Sequence, residues 1–321
     1  MTDQTIAFLW PEADFRASGV AVPDGFAMRF GRGAIRAEAI ATCAGADYIC
    51  IGSGFGTADK ELLDLAPTLL LVQLTGAGYN NVDHPECARR AIPVCYCPGL
   101  NAPSVAQTVV QLALRLIRPL PLLETGGEAE WLAARKAHAA TAHEVGGRVG
   151  VVGYGHIGKH VAKLFQGLGL EVVRSERAGQ DDAVVPALPL DELLATSEII
   201  SVSLPANDDT SGLIDARRIA LIKPGAILIH IGRGGVVDDT AVAAALEDGR
   251  LGGAAFDVFE SEPLPETHPF LSLSETARVR LLMTPHIGGQ TQESKTRNFQ
   301  VAIDNVVRVS RGEEPIYLAP V

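Results

Sequence analysis

The feature that most restricts this chain is Gly153-Tyr-Gly155-His156-Ile157-Gly158. An apolar run over 149–152 leads into it, and Val161, Ala162, Leu164 and Phe165 follow at helical spacing. The segment therefore reads as a strand, a tight turn and a helix. Gly153 permits the turn, Gly155 lets a ligand approach the backbone, and Gly158 lets the helix pack on the strand. The first N–H groups of that helix, with His156 and Ile157 in its opening turn, lack partners within it and lie at the positive end of its dipole, which suits a pyrophosphate. In this strand-to-helix setting the motif specifies a dinucleotide-binding unit of the doubly wound α/β class.

The next strand, over 171–174, ends where such a fold holds the adenosine ribose. Glu176 follows Gly158 by eighteen residues, against a usual spacing of about 20 for the acidic residue that accepts from the ribose hydroxyls and repels a 2′-phosphate. This favours NAD. Arg174 and Arg177 flank Glu176 and are able to hold a 2′-phosphate, so NADP stays open.

The rest of the chain alternates in the same way. Apolar runs over 6–10, 48–52, 69–74 and 94–97 are expected as buried parallel strands, with helices over 36–44, 59–65 and 85–90. Pro98 to Pro103 breaks the series, Ser104 is placed to cap a long apolar helix reaching about 118, and Pro119 and Pro121 stop it. Residues 124–146 form a connecting segment. A second series follows, with strands expected over 148–153, 171–174, 199–204, 226–231, 254–258 and 281–284. Gly288-Gly289 makes a flexible joint before one last helix over 292–310. A length of 321 residues suits two domains of about 100–200 residues each.

The net charge of −11 argues against nucleic acid and anionic membrane surfaces, both of which call for clustered Lys and Arg. No apolar stretch is long enough to span a bilayer, and the polar start shows no secretory signal, so a cytoplasmic protein is expected. Cys43, Cys50, Cys87, Cys95 and Cys97 lack metal-ligand spacing; they read as buried reduced thiols, and no metal site is expected.

Three later segments set charged or titratable residues beside glycine where strands end. They are Ile231-Gly232-Arg233-Gly234-Gly235, the stretch from Asp257 to Glu262-Pro263, and Thr284-Pro285-His286-Ile287-Gly288-Gly289. In an open parallel sheet ligands lie at the carboxyl ends of the strands, so all three converge on the nicotinamide end of the dinucleotide.

With these motifs in this order, together with Gly76-Ala-Gly-Tyr-Asn-Asn-Val-Asp83, Leu204-Pro205 and Thr210, the chain resembles the D-isomer-specific 2-hydroxyacid dehydrogenase family over nearly its whole length. The resemblance implies an α/β protein of two doubly wound Rossmann-like domains with parallel sheets. A substrate domain, 1–100 plus 290–321, would carry a dinucleotide-binding domain, 101–289, inserted into it, with the breaks near 98–103 and 288–289 as hinge crossings. It also implies a homodimer, with 124–146 and Trp131 in the dimer arm. The implied activity is hydride transfer between NAD(P)H and a small 2-keto/2-hydroxy acid.

Carried over residue by residue, the resemblance assigns Arg233 to clamp the substrate carboxylate and polarise the keto oxygen, using its planar fork of donors. His286 would exchange that oxygen's proton. Glu262 would bond the other imidazole nitrogen, fix its tautomer and raise its pKa. The backbone of Gly76, Ala77 and Gly78 would bind the carboxylate as well. Asp257 would contact the nicotinamide amide, and Leu204, Pro205, Thr210, Ile231, Gly232 and Gly288 would line the cofactor. The loop over 53–57, with Phe55, would shape the side-chain pocket.

Some positions depart from the family pattern. Asn80 replaces a usual Asp, Gln107 a frequent Glu and Ser203 a frequent His. His230 replaces a usual Asn and reads as a packed or hydrogen-bonded core residue. No basic residues surround Leu74 to hold a substrate phosphate. An unphosphorylated acid such as glyoxylate, hydroxypyruvate or pyruvate is therefore expected over a phosphoglycerate dehydrogenase-like reaction. The alternative from a different class is a catalytically idle, NAD-sensing, corepressor-like binding protein.

Overall fold

The computed structural model describes residues 3–52, 56–177 and 184–320, and the chain divides into two compact units. The first runs to Asn101 and resumes at Gln290. It contains β1 (Gln4–Leu9), α1 (Glu12–Ala17), β2 (Phe26–Phe30), α2 (Arg36–Cys43), β3 (Tyr48–Ile51), α3 (Lys60–Asp64), β4 (Leu71–Leu74), α4 (His84–Arg89) and β5 (Val94–Cys95). The strands pair in parallel in the order β2-β1-β3-β4-β5, a flavodoxin-like doubly wound sheet. β3 and β4 are buried along their whole length because both faces are covered. Alternate residues point to opposite cores: Ile49 and Ile51 to one, Tyr48 and Cys50 to the other. The sequence reading has no strand over β2. It is an edge strand whose residues alternate half-buried and exposed, so the continuous apolar run that marks the other strands is missing.

The second unit, Ala102–Gly289, interrupts the first. It contains α5 (Ala102–Ile117), α6 (Glu128–Thr141), β6 (Arg148–Val152), α7 (His156–Gly167), β7 (Glu171–Ser175), β8 (Ala187–Leu188), α8 (Leu190–Thr196), β9 (Ile199–Val202), α9 (Ala216–Leu221), β10 (Ile227–His230), α10 (Asp239–Glu247), β11 (Gly253–Phe256), a 3-10 turn (Pro269–Ser272), α11 (Glu275–Arg278) and β12 (Leu281–Met283). Its parallel sheet has the order β12-β11-β10-β9-β6-β7-β8. The order reverses between β6 and β9, which is where a doubly wound sheet opens its ligand crevice. The chain then returns to the first unit as α12 (Gln292–Ser310), burying Phe299, Ala302, Ile303 and Val306 against β1 and its neighbours.

One local expectation is corrected and another is made more specific. α5 begins at Ala102, so Ser104 is a buried helix residue and not its cap. Pro103 is tolerated in the first turn, where its missing N–H has no intrahelical acceptor. The connecting segment contains the helix α6, none of whose residues is buried. All five cysteines are free and buried, and burial pushes the Cys97 thiol up to about 12 while it donates to the Leu74 carbonyl at 3.3 Å. Among the described residues no helix is long and apolar enough to cross a membrane.

Candidate active site

The phosphate loop joins β6 to α7. Gly153 has φ of 95°, a conformation that disfavours side chains. A Cβ on Gly158 would lie 2.1 Å from the Gly153 carbonyl oxygen, whereas one on Gly155 would meet nothing within 4 Å. Two of the glycines are therefore required by the protein's own packing, and the third faces open space. The Ser203 hydroxyl donates to the Gly153 carbonyl at 2.9 Å, and the Gly153 N–H donates to Ser175 Oγ at 3.4 Å. Helices α3, α4, α9 and α10 are capped by the carboxylates of Asp59, Asp83, Asp215 and Asp238. α7, with Gly155 as its N-cap, has no side-chain cap, as is true of α1, α2, α6 and α8. Because it follows β6 at the point where the strand order reverses, its first N–H groups suit the pyrophosphate of a dinucleotide. Gly155→Ala is expected to weaken NADH binding by about tenfold or more with the melting temperature unchanged. Gly158→Ala is expected to cost about 1–3 kcal/mol of stability. Thermal melts and NADH titrations check both, and an equal loss of stability in the two variants would contradict this division of roles.

Glu176 lies exposed just beyond β7, its N–H donating to the Leu188 carbonyl at 3.0 Å. Arg177 is exposed beside it. Arg174 differs from expectation. It is 3% exposed, with its guanidinium carbon 5.5 Å from the Tyr154 ring centroid, so it is not presented to a 2′-phosphate. Leu204 packs against Gly153, where an added Cβ would come within 3.0 Å of it. The Thr210 hydroxyl donates to the Pro205 carbonyl at 2.6 Å and accepts from the Asn207 N–H at 3.0 Å, closing that loop on itself.

Adjacent parallel strands β10, β11 and β12 carry Arg233, Asp257 with Glu262, and His286 just past their carboxyl ends. Arg233 sits in a turn between two glycines. A Cβ on Gly232 would lie 2.4 Å from the Leu204 carbonyl oxygen, and one on Gly234 would lie 2.0 Å from that of Phe259. The turn is thus wedged between two backbones. Arg233 Nη1 donates to the Gly232 carbonyl at 2.8 Å. Burial pulls the guanidinium pKa below its ordinary value and the Glu262 charge pulls it back up, which leaves it charged.

Glu262 divides its oxygens. Oε1 accepts from the Phe259 N–H at 3.0 Å, and Oε2 lies 2.7 Å from His286 Nδ1. A carboxylate accepts, so Nδ1 carries the hydrogen in the neutral ring and Nε2 becomes the nitrogen that exchanges protons. His286 is 47% and Glu262 37% exposed, open enough for a substrate to reach. His286 has φ of 53°, one of three non-glycine residues at positive φ among the described residues. Such backbone strain persists where the surroundings enforce it, and Asp257 does the enforcing. It is 2% exposed; Oδ1 accepts from the Thr284 hydroxyl at 2.5 Å and the Ile287 N–H at 2.9 Å, and Oδ2 accepts from the Gly288 N–H at 2.9 Å. Both of its oxygens thus clasp the turn around His286, a task the sequence reading did not give it. Gly288 is buried, and its carbonyl accepts from the Thr108 hydroxyl at 3.0 Å, just before the boundary between the two units after Gly289. Ile231 is buried beside it.

In the first unit, the Gly76 carbonyl accepts from the Cys97 N–H at 2.8 Å, and Thr75 Oγ1 accepts from Trp10 Nε1 at 2.8 Å. These bonds set the backbone that leads into Ala77 and Gly78. Phe55, with Ser53 and Gly54, lies outside the described residues. Among the described residues no group of His, Cys, Asp or Glu forms a metal site.

Residues 110–288 match the NAD binding domain of the D-isomer specific 2-hydroxyacid dehydrogenases. The chain is 33% identical over 267 residues to the glyoxylate reductase of Thermofilum pendens, covering 80% of this chain and 76% of the relative. It is 38% identical over 247 residues to the D-3-phosphoglycerate dehydrogenase of Haemophilus influenzae, covering 75% of this chain but 59% of the relative. The solved 2-hydroxyacid dehydrogenase of Ketogulonicigenium vulgare matches with a TM-score of 0.79 at 27% identity, covering 100% of this chain and 99% of that one.

Proposed function

The chain belongs to the D-isomer specific 2-hydroxyacid dehydrogenase family, whose members are NAD(P)-dependent oxidoreductases acting on CH–OH donors, and from that premise we propose that it interconverts a small, unphosphorylated 2-keto acid and its 2-hydroxy acid. The observation that carries this reading is the Glu262–His286 contact of 2.7 Å, made past the ends of β11 and β12 in the sheet whose β10 leads into the Arg233 turn. The bound nicotinamide supplies or takes the hydride. Arg233 holds the carboxylate and polarises the keto oxygen. His286 Nε2 gives that oxygen its proton in reduction and removes it in oxidation, and Glu262 steadies the charged imidazole. Asp257 holds the His286 turn and, by the family resemblance, contacts the nicotinamide amide.

The stretch from Gln73 to Asp83 contains no Lys or Arg to pair with a substrate phosphate, which supports glyoxylate, hydroxypyruvate or pyruvate. The 38% identity to a phosphoglycerate dehydrogenase favours a second reading, with a phosphorylated acid. The test is NADH and NADPH oxidation with a panel of these three acids plus 3-phosphohydroxypyruvate. Highest kcat/KM on one of the three supports the proposal. Preference for the phosphorylated acid selects the second reading, and tight NADH binding with no turnover selects a binding protein. Because Glu176 is exposed at the ribose position and Arg174 is buried, NADH is expected to be preferred over NADPH by about tenfold or more.

The exposed α6, with Trp131 50% and Leu132 58% exposed, is proposed as the arm of a homodimer. Sedimentation is expected to show a dimer, and a fully active monomer would refute the arm.

A further inference from the structure

His230 ends β10 and is 1% exposed. Its Nε2 lies 2.9 Å from the Arg233 carbonyl oxygen; the Val202 backbone also faces the ring, but among the described residues the buried Nδ1 has no partner at hydrogen-bond geometry. The Phe256 ring packs edge-on against it at 5.4 Å. A carbonyl only accepts, and of the two backbone groups facing the ring only the Arg233 carbonyl lies at hydrogen-bond geometry, so the ring hydrogen belongs on Nε2. Burial pulls the imidazole down to about 4, which leaves it neutral near pH 7 with one N–H to give. A buried, unmatched Nδ1 costs free energy that a purely apolar side chain at this place would avoid. The hydrogen bond made by the other nitrogen is the evident return.

That bond falls on a turn with little other freedom. Gly232 and Gly234 are wedged against the Leu204 and Phe259 backbones, and Arg233 Nη1 folds back to the Gly232 carbonyl. What these contacts leave to be set is the orientation of the peptide that follows Arg233. The His230 carbonyl in turn accepts from the Asp257 N–H at 3.0 Å, which ties the residue to the clasp around His286.

We propose that His230 is a positioning residue: its Nε2–H fixes the carbonyl of Arg233 and thereby the direction in which the guanidinium meets the substrate carboxylate. This rests on the reading of Arg233 as the clamp, and the experiment separates the two. The keto-acid KM, kcat and NADH affinity are measured for His230→Phe, His230→Gln and Arg233→Ala in the full chain, and the His230 tautomer is read by nitrogen-15 NMR in the wild type at pH 7. His230→Phe is expected to raise KM for the keto acid by about tenfold, the loss of one good hydrogen bond, with NADH affinity within about twofold and His230→Gln recovering most of the deficit. The tautomer is expected to be Nε2–H. If Arg233→Ala raises KM and His230→Phe does not, positioning by His230 is overturned and the clamp stands. If neither raises it, the clamp reading falls and takes the proposal with it. Parallel loss of NADH and keto-acid binding in His230→Phe shows a merely structural role and overturns it too. Should His230→Phe fail to fold, the wild-type tautomer decides, and an Nδ1–H ring refutes the proposal.

Discussion

His286→Asn is expected to bind NADH as the wild type does while kcat falls by about 10²–10⁴, the range for removing a general acid–base group. The substitution is chosen for the turn as well as for the chemistry. His286 sits at φ of 53°, and asparagine is among the side chains that best tolerate that region. The turn itself is held by Asp257 through Thr284, Ile287 and Gly288, none of which bonds involves the imidazole. The variant therefore keeps the shape of the site and loses the nitrogen that exchanges the proton. Steady-state kinetics and NADH titration together check it. A variant with near-normal turnover would sink the proposed mechanism, and one that no longer binds NADH would show that the turn had collapsed.

Arg233→Ala is expected to lower kcat/KM by about 10²–10⁴. A guanidinium that grips a carboxylate with two charge-assisted hydrogen bonds contributes about 1.5–3 kcal/mol through each, and about 1.4 kcal/mol corresponds to a factor of ten. The turn should survive, because its path is set by the backbones against Gly232 and Gly234 and not by the arginine side chain. Arg233→Lys should recover only part of the loss, since an ammonium cannot reproduce the planar fork. Saturation curves for the keto acid give the answer directly, and unchanged saturation in Arg233→Ala would count against the clamp.

The two glycine classes illustrate how far pattern carries and where it stops. Gly153, Gly155 and Gly158 were legible as a strand–turn–helix motif because their spacing repeats the geometry of the turn. That Gly158 abuts Gly153 while Gly155 faces open space is a distance, and it has no counterpart in the sequence. Arg174 makes the same point from the other side. Its neighbours suggested an anion ligand, but its burial against Tyr154 follows from the side of β7 on which it falls and from what packs there. β2 escaped notice because an edge strand need not be apolar on both faces.

The sequence by itself determined the class of fold and the family, because apolar periodicity, proline breaks and the ordered motifs are local properties of the chain. It also named Arg233, Glu262 and His286, through resemblance. Only the tertiary structure decided how these residues are held. Glu262 reaches His286 across twenty-four positions, Asp257 clasps a turn some thirty residues away, and His230 Nε2 meets the Arg233 carbonyl. The His230 bond spans only three positions and is set by the turn, while the Glu262 and Asp257 bonds join strand ends that are neighbours in the sheet and distant in the chain. Their partners are chosen by the order in which the strands pair, which residue periodicity does not encode.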